Sequence, residues 1–462
     1  MTTMKRRIGI SLWMASLMLL GASAFAVTRT ASWDDDDESA ESDDADAEEE
    51  EAETAWFAVV GGDVYTGLGG VLREATVLAK NGKITEVGHN VRVPEEAEVL
   101  DATGMRVYPG LVAVDSGGLF GGSSDFADTV DPFNANMVLA LAGGITSAGQ
   151  SNAAMKLKRG EIEGVVMQEK YLITESYSTR NPAGKRSLDE KFAAASTYLR
   201  KYRQWEEDVK ENKELKEPSR KGVDASVLSI LRGEKLARFN ADDRTSLLDI
   251  ARLAQRYGFR PVIDGCREGW TVAEELGRAG AYAIVTPRDR RDKDETLVHE
   301  GGSSIENAAI LHRSGVQIAV VPGSKGIDLG GIAGRDIMHL QIEADFAVRG
   351  GLSEQAAFEA ITQVPAKILG IDHRVGTLEP GKDCDLIVTD GDVLHYQTFV
   401  QYAVVEGKQV YDKQEELYFA HIRPRPEHPE LAPEEHVDPG EAAAAAADGA
   451  DDEPADDNSE EP

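Results

Sequence analysis

Tyr108-Pro109-Gly110-Leu111-Val112-Ala113-Val114 marks a change of pattern in the chain. From Trp56 up to Tyr108, short apolar stretches alternate with turn dipeptides. Thr76 to Lys80 and Lys83 to Val87 flank Asn81-Gly82, a pair that supplies the two positive φ angles of a tight type I′ turn. The same reasoning pairs Glu98–Asp101 with Met105–Tyr108 across Thr103-Gly104. After Pro109-Gly110 the runs become continuously apolar and are separated by stretches with apolar residues at i, i+3 and i+4. That is the pattern of parallel strands covered by helices. Seven such runs stand out, near Leu111–Val114, Ile145–Ala148, Gly164–Met167, Leu236–Phe239, Pro261–Ile263, Tyr282–Val285 and Gln317–Val321, with Tyr171–Thr174 a candidate eighth. Helices are expected over Arg244–Tyr257, Thr271–Arg278, Ser304–Arg313 and Arg335–Val348. Eight such units close most simply into a TIM-type (β/α)8 barrel.

Beyond two further expected helices, Ser353–Ala360 and Pro365–Leu369, the chain turns β again at Asp385–Thr389, Tyr402–Glu406 and Lys408–Tyr411. The simplest α/β architecture pairs this end with the first. Residues 56–108 and 375–415 then form a composite β-sandwich flanking a barrel over residues 109–374. The charged stretch from about 185 to 231 breaks the strand–helix rhythm and reads as a helical insertion over the barrel mouth or flank.

The 462-residue chain carries a net charge of −33, but most of it lies near the ends. Fourteen of the twenty residues from Asp34 to Glu53 are Asp or Glu, and another fourteen acids, with no Lys or Arg, follow from Glu427 to Pro462. Setting these runs and the four basic residues at 5, 6, 7 and 29 aside leaves 54 acids against 45 bases. Residues 27–55 and 427–462 are therefore expected to be solvated, disordered acidic segments. Their charge repels a phosphate backbone, so nucleic acid is not an expected ligand. Lys5, Arg6 and Arg7 precede an apolar run from Ile8 to Gly21 and the small-residue pattern Ala24-Phe25-Ala26, which makes residues 1–26 an export signal. The product would be periplasmic or extracellular, and membrane-anchored only if that segment stays uncleaved. Cys266 and Cys384 allow at most one disulfide.

Lys80-Asn81-Gly82-Lys83-Ile84-Thr85-Glu86-Val87-Gly88, Val99-Leu100-Asp101-Ala102-Thr103-Gly104 and Tyr108-Pro109-Gly110-Leu111-Val112 together resemble the opening of an amidohydrolase of the imidazolonepropionase-like group. Val375-Gly376-Thr377-Leu378-Glu379-Pro380-Gly381-Lys382-Asp383-Cys384-Asp385-Leu386-Ile387-Val388 resembles that family's closing segment, with Cys384 where Ala is usual. The resemblance spans about Trp56 to Lys413. It implies a hydrolase of cyclic amides, peptides or related C–N bonds that uses zinc or another divalent metal at the barrel mouth. Such an ion would polarise the carbonyl and activate a water.

The ligand positions that the resemblance implies are not filled by ligands. Where the family has His-x-His after the first barrel strand, this chain has Asp115 and Gly117. Arg180 falls where a bridging Lys or Glu belongs. The fifth strand ends in Arg238-Phe239-Asn240-Ala241-Asp242, the sixth places Gly265 at the expected His, and Gly323 stands where an Asp would act as ligand and base. None of the nine histidines lies at a strand end that opens on the mouth: His89 falls in the sandwich, His299 in a loop, His312 and His339 on helices, and His373, His395, His421, His428 and His436 beyond the barrel.

What remains at the mouth is Asp115, Asn240, Asp242, Asp264 and Cys266. The carboxylates with Asn240 suit a hard cation bound through oxygen, or more simply ion pairs with Arg180, Arg267 or Arg288. Cys266 has no histidine to deprotonate it and reads as a buried small side chain. The glycines at 117, 118, 121 and 122 lack the strand–turn–helix succession of a phosphate cradle, and Arg288 to Glu295 reads as a mixed-charge loop over the mouth. No cofactor is expected. The expected function is an exported, catalytically degenerate amidohydrolase-fold protein acting as a binding or scaffold partner, as a homo-oligomer or with an active relative. The alternatives are a working C–N hydrolase with an oxygen-ligand metal site built from Asp115, Asp242 and Asp264, or a small-molecule binding protein.

Overall fold

The computed structural model describes residues 54–121, 129–211, 215–328 and 334–416. The export signal, the acidic run up to residue 53, the acidic tail, Gly122 and His421, His428 and His436 lie outside the described residues.

Five strands open the chain: β1 (Trp56–Tyr65), β2 (Val71–Lys80), β3 (Lys83–Gly88), β4 (Glu98–Asp101) and β5 (Arg106–Pro109). The β2–β3 turn has φ of 50° at Asn81 and 77° at Gly82, as a type I′ turn requires. The expected second hairpin does not form. β4 and β5 do not pair with each other; both lie parallel to β1, one after the other along its length. β1 runs for ten residues and so takes both; its register with β2 shifts on either side of Gly62, next to Gly61, whose φ is +76° and where a Cβ would strike the Thr103 hydroxyl.

The chain continues through β6 (Leu111–Ala113), β7 (Ile145–Gln150), β8 (Ala153–Lys156), β9 (Val166–Glu169), β10 (Leu172–Glu175), β11 (Leu236–Ala241), β12 (Pro261–Gly265), β13 (Tyr282–Val285) and β14 (Gln317–Val320). β10 to β14 form an all-parallel sheet in chain order. β6 and β7 are parallel in a second sheet that is completed by β8, antiparallel to β7, and β9, antiparallel to β8 and so running with β6 and β7. The run expected near Gly164–Met167 is β9, which is bonded through the unexpected antiparallel β8, and the Tyr171–Thr174 candidate is the parallel β10. Among the described residues no ladder joins the two sheets.

Helix Arg244–Tyr257 shows how the cover forms. Asp243 caps its start through the Ser246 N–H, Gly258 ends it at φ +73°, and Leu247, Ile250, Ala251 and Ala254 repeat at helical spacing and are buried. Burying Leu247 and Ile250 completely contributes about 2–3 kcal/mol each. The charged stretch contains helices Pro182–Glu211 and Ala225–Leu231. The longer one buries Leu188, Phe192, Ala195 and Tyr198, with Phe192 stacked on Phe259 at 4.7 Å. Among the described residues no helix is long and apolar enough to cross a membrane.

The last strands, β15 (Leu386–Thr389), β16 (Val400–Val405) and β17 (Lys408–Asp412), return to the first sheet. β15 pairs antiparallel with β5, so both ends of the chain share one eight-stranded sheet in the order β17-β16-β15-β5-β1-β2-β3, with β4 on β1.

Candidate functional site

Parallel strands deliver their C-terminal ends to one side, and four of them bring charge together there. Asp115 follows β6, Arg238 lies in β11, Asp264 in β12 and Lys325 in the loop after β14. Arg238 donates through Nη2 to Asp115 Oδ2 at 2.6 Å and also to Asp264 Oδ2. Lys325 Nζ reaches the same two oxygens, at 2.7 and 3.5 Å. The loops are fixed beneath them: Ser116 N–H donates to Gly149 O at 2.7 Å and Gly117 N–H to Lys325 O at 2.8 Å. Burial alone would weaken the Arg238 charge, but Asp264 and Asp115 outweigh it and hold its pKa above that of an ordinary arginine. Two carboxylates thus face two cations. Neither cation was among the partners expected from the sequence.

Asp242 stands outside this cluster. Its Oδ2 accepts from Arg267 Nη1 at 3.0 Å, Arg267 also binds Asp289, and its Oδ1 is buried without a partner. Asn240 is exposed; with Asp242, Arg180 and Arg267 it lines a separate polar cavity of about 650 Å3. Of the expected ion pairs, Arg267–Asp242 is present. Arg288 instead pairs with the buried Glu343 at 2.6 Å, and no ion pair to Arg180 is found among the described residues. The loop after β13 is held by Glu268, whose carboxylate accepts from Gly302 N–H at 2.7 Å and Arg244 N–H at 2.9 Å. Cys266 is fully buried and burial pushes its thiol pKa far up; both cysteines are free. The nucleophile reading of Cys266 has no support in this geometry.

Proteins of the amidohydrolase superfamily generally use a divalent metal. The residues here do not fit one. Gly117, Gly265 and Gly323 supply no side-chain donor, and Gly265, at φ +96°, has the Asp242 carboxylate where a Cβ would go. One oxygen of each carboxylate, Oδ2 of Asp115 and of Asp264, is already held by nitrogen cations, which puts positive charge where an ion would sit. Among the described residues no group of three or more His, Cys, Asp or Glu side chains is arranged to hold an ion.

This mixed α/β body with a sheet built from both chain ends is consistent with the fold of the amidohydrolase superfamily, and the resemblance to that superfamily read in the sequence is borne out. The Amidohydrolase family matches residues 269–412. An amidohydrolase from Thermotoga maritima superposes with a TM-score of 0.59 at 24% identity, covering 77% of this chain and all of that one. Phenylurea hydrolase B superposes more loosely, with a TM-score of 0.49 at 15% identity over 77% of this chain and 97% of that one. N-acetylglucosamine-6-phosphate deacetylase of Danio rerio is 41% identical over 68 residues, which is 15% of this chain and 16% of the relative's length.

Proposed function

We propose that this chain is an exported amidohydrolase-fold protein in which fixed ion pairs have replaced metal chemistry, and that it works as a binding or scaffold partner. The observation that carries this reading is Arg238 set between Asp115 and Asp264, with Lys325 on the same oxygens. A guanidinium cannot lose its charge at working pH, so it neither activates water nor yields its place to an ion. The matches to the Amidohydrolase family and to part of the deacetylase support descent from a C–N hydrolase. We also read the all-parallel sheet and the mixed sheet of β6 to β9 as parts of one (β/α)8-type barrel. Val112 N–H and Val320 N–H donate to Ile361 O and Ala360 O, which ties β6 and β14 to one segment. The N-terminal Lys5-Arg6-Arg7 and apolar run support export, and the acidic runs support solubility in that compartment.

The test is elemental analysis of protein grown with Zn2+, Mn2+ and Ca2+, beside size-exclusion chromatography alone and with a ligand-complete relative. The expected result is far less than one metal per chain and a stable homo- or hetero-complex. One equivalent of metal that disappears in Asp115→Ala, with metal-dependent amide hydrolysis, would overturn the reading.

A further inference from the structure

The described chain ends at Glu416, whose side chain is 9% exposed and pairs through Oε1 with Arg159 Nη1. Arg159 lies in the loop between β8 and β9, so the end of the chain is fixed at that loop. The next residues of the loop sit beside an apolar patch. Gly160 N–H donates to Pro132 O at 3.0 Å, and a Cβ on Gly160 would meet the Phe133 ring at 3.8 Å. Phe133 is 77% exposed and Ile162 is 65% exposed. Most large apolar side chains of the body are buried, and two left in water beside one glycine mark a surface that something covers.

The sequence supplies the cover. Leu417-Tyr418-Phe419-Ala420-His421-Ile422 follows Glu416 directly, and five of these six residues are apolar. Six extended residues reach about 20 Å, whereas Ile162 lies only three residues, about 10 Å of chain, beyond Arg159. Charge agrees with the apolar match. Arg423 and Arg425 come next, and the exposed Asp131 and Glu163, close in sequence to Phe133 and Ile162, enter no ion pair among the described residues. A second copy of the chain fits less well, because a two-fold contact would lay the patch on itself and set Asp131 and Glu163 against like charge. We propose that residues 417–422 lie back over Phe133 and Ile162 as a strap, with Arg423 and Arg425 beside Asp131 and Glu163. The strap clasps the end of β17 to the β8–β9 loop, ahead of the acidic run that starts at Glu427. It stands whether or not the chain holds a metal or a partner.

The test uses the full chain carrying Ile162→Cys and Ala420→Cys. Cys266 and Cys384 are free but fully buried, so they do not compete for the oxidant. A disulfide forms only where the two Cα atoms come within about 7 Å. Mild oxidation should therefore give an intramolecular disulfide, identified by peptide mass mapping. Adding Phe133→Ser, or Leu417→Ser with Phe419→Ser, should slow its formation by about tenfold, because each removes apolar contact without shortening the tether. These positions are exposed or lie beyond Glu416, so the core is left intact. No intramolecular disulfide, a dominant disulfide between two chains, or an unchanged rate in either serine variant would each overturn the proposal.

Discussion

Arg238 is the residue on which the charged cluster turns, because its side chain is 16% exposed and pairs with two Asp side chains at 18% and 11%. Arg238→Met should cost about 3 kcal/mol in urea unfolding, since it leaves two largely buried carboxylates to the more exposed Lys325 alone. Lys325→Met should cost no more than about 1 kcal/mol, because Lys325 is 42% exposed and solvent screens its pairs. A larger loss at Lys325 than at Arg238 would contradict this order. Restoring imidazole should also fail. In Gly117→His/Gly265→His, the second substitution forces a side chain to φ +96° against Asp242, and Arg238 still holds both acids. The expected outcome is reduced stability and no gain in zinc content by elemental analysis. The missing histidines were legible in the sequence because a motif is local. The replacement was not, because Lys325 meets Asp115 across 210 positions and a strand arginine does not announce which neighbouring strand it will reach.

Strand β8 shows the same limit at the scale of an element. Ala153-Ala154-Met155-Lys156 was not read as a strand, since so short a run ending in lysine looks like a solvent-facing turn. Yet all four residues are buried, and Lys156 Nζ binds Asp383 at 2.7 Å, Asp385 at 3.0 Å and Glu406 at 3.1 Å. The closing motif Lys382-Asp383-Cys384-Asp385 thus fastens β8 to the strands of the composite sheet. Burial alone would lower the Lys156 pKa, but Asp385, Asp383 and Glu406 outweigh it and hold it above its ordinary value of 10.5. A raised lysine contributes stability that is complete below the unfolded value and lost as pH rises through the folded one. Wild-type stability should therefore fall as pH climbs past about 10.5, and Lys156→Met should lack that component of the slope. At neutral pH the variant should lose about 3–5 kcal/mol, because three carboxylates lose their central cation. Urea melts of both proteins across the alkaline range check the two statements together.

At the scale of the whole molecule, the joining of the two chain ends was legible because each end carries its own hairpin text and its own family-like motif. The structure adds that the joined sheet is not a separable module. Ile387, Ala403, Val405 and Tyr411 share one buried cluster with Met137, Leu141 and Ile145 from the α/β part, and among the described residues Lys156 is neutralised by Asp383, Asp385 and Glu406, all beyond 380. Two modules with private cores would unfold in two steps, whereas a shared core couples them. Differential scanning calorimetry of the full chain should show one transition whose van't Hoff and calorimetric enthalpies agree. A chain ending at Arg374 should show no cooperative transition at all, because β5 loses its β15 partner while Val107 and Tyr108, now buried, face water. Two resolved transitions in the full chain, or a sharp melt in the shortened one, would mean that the α/β part folds on its own and that the closing strands merely dock onto it.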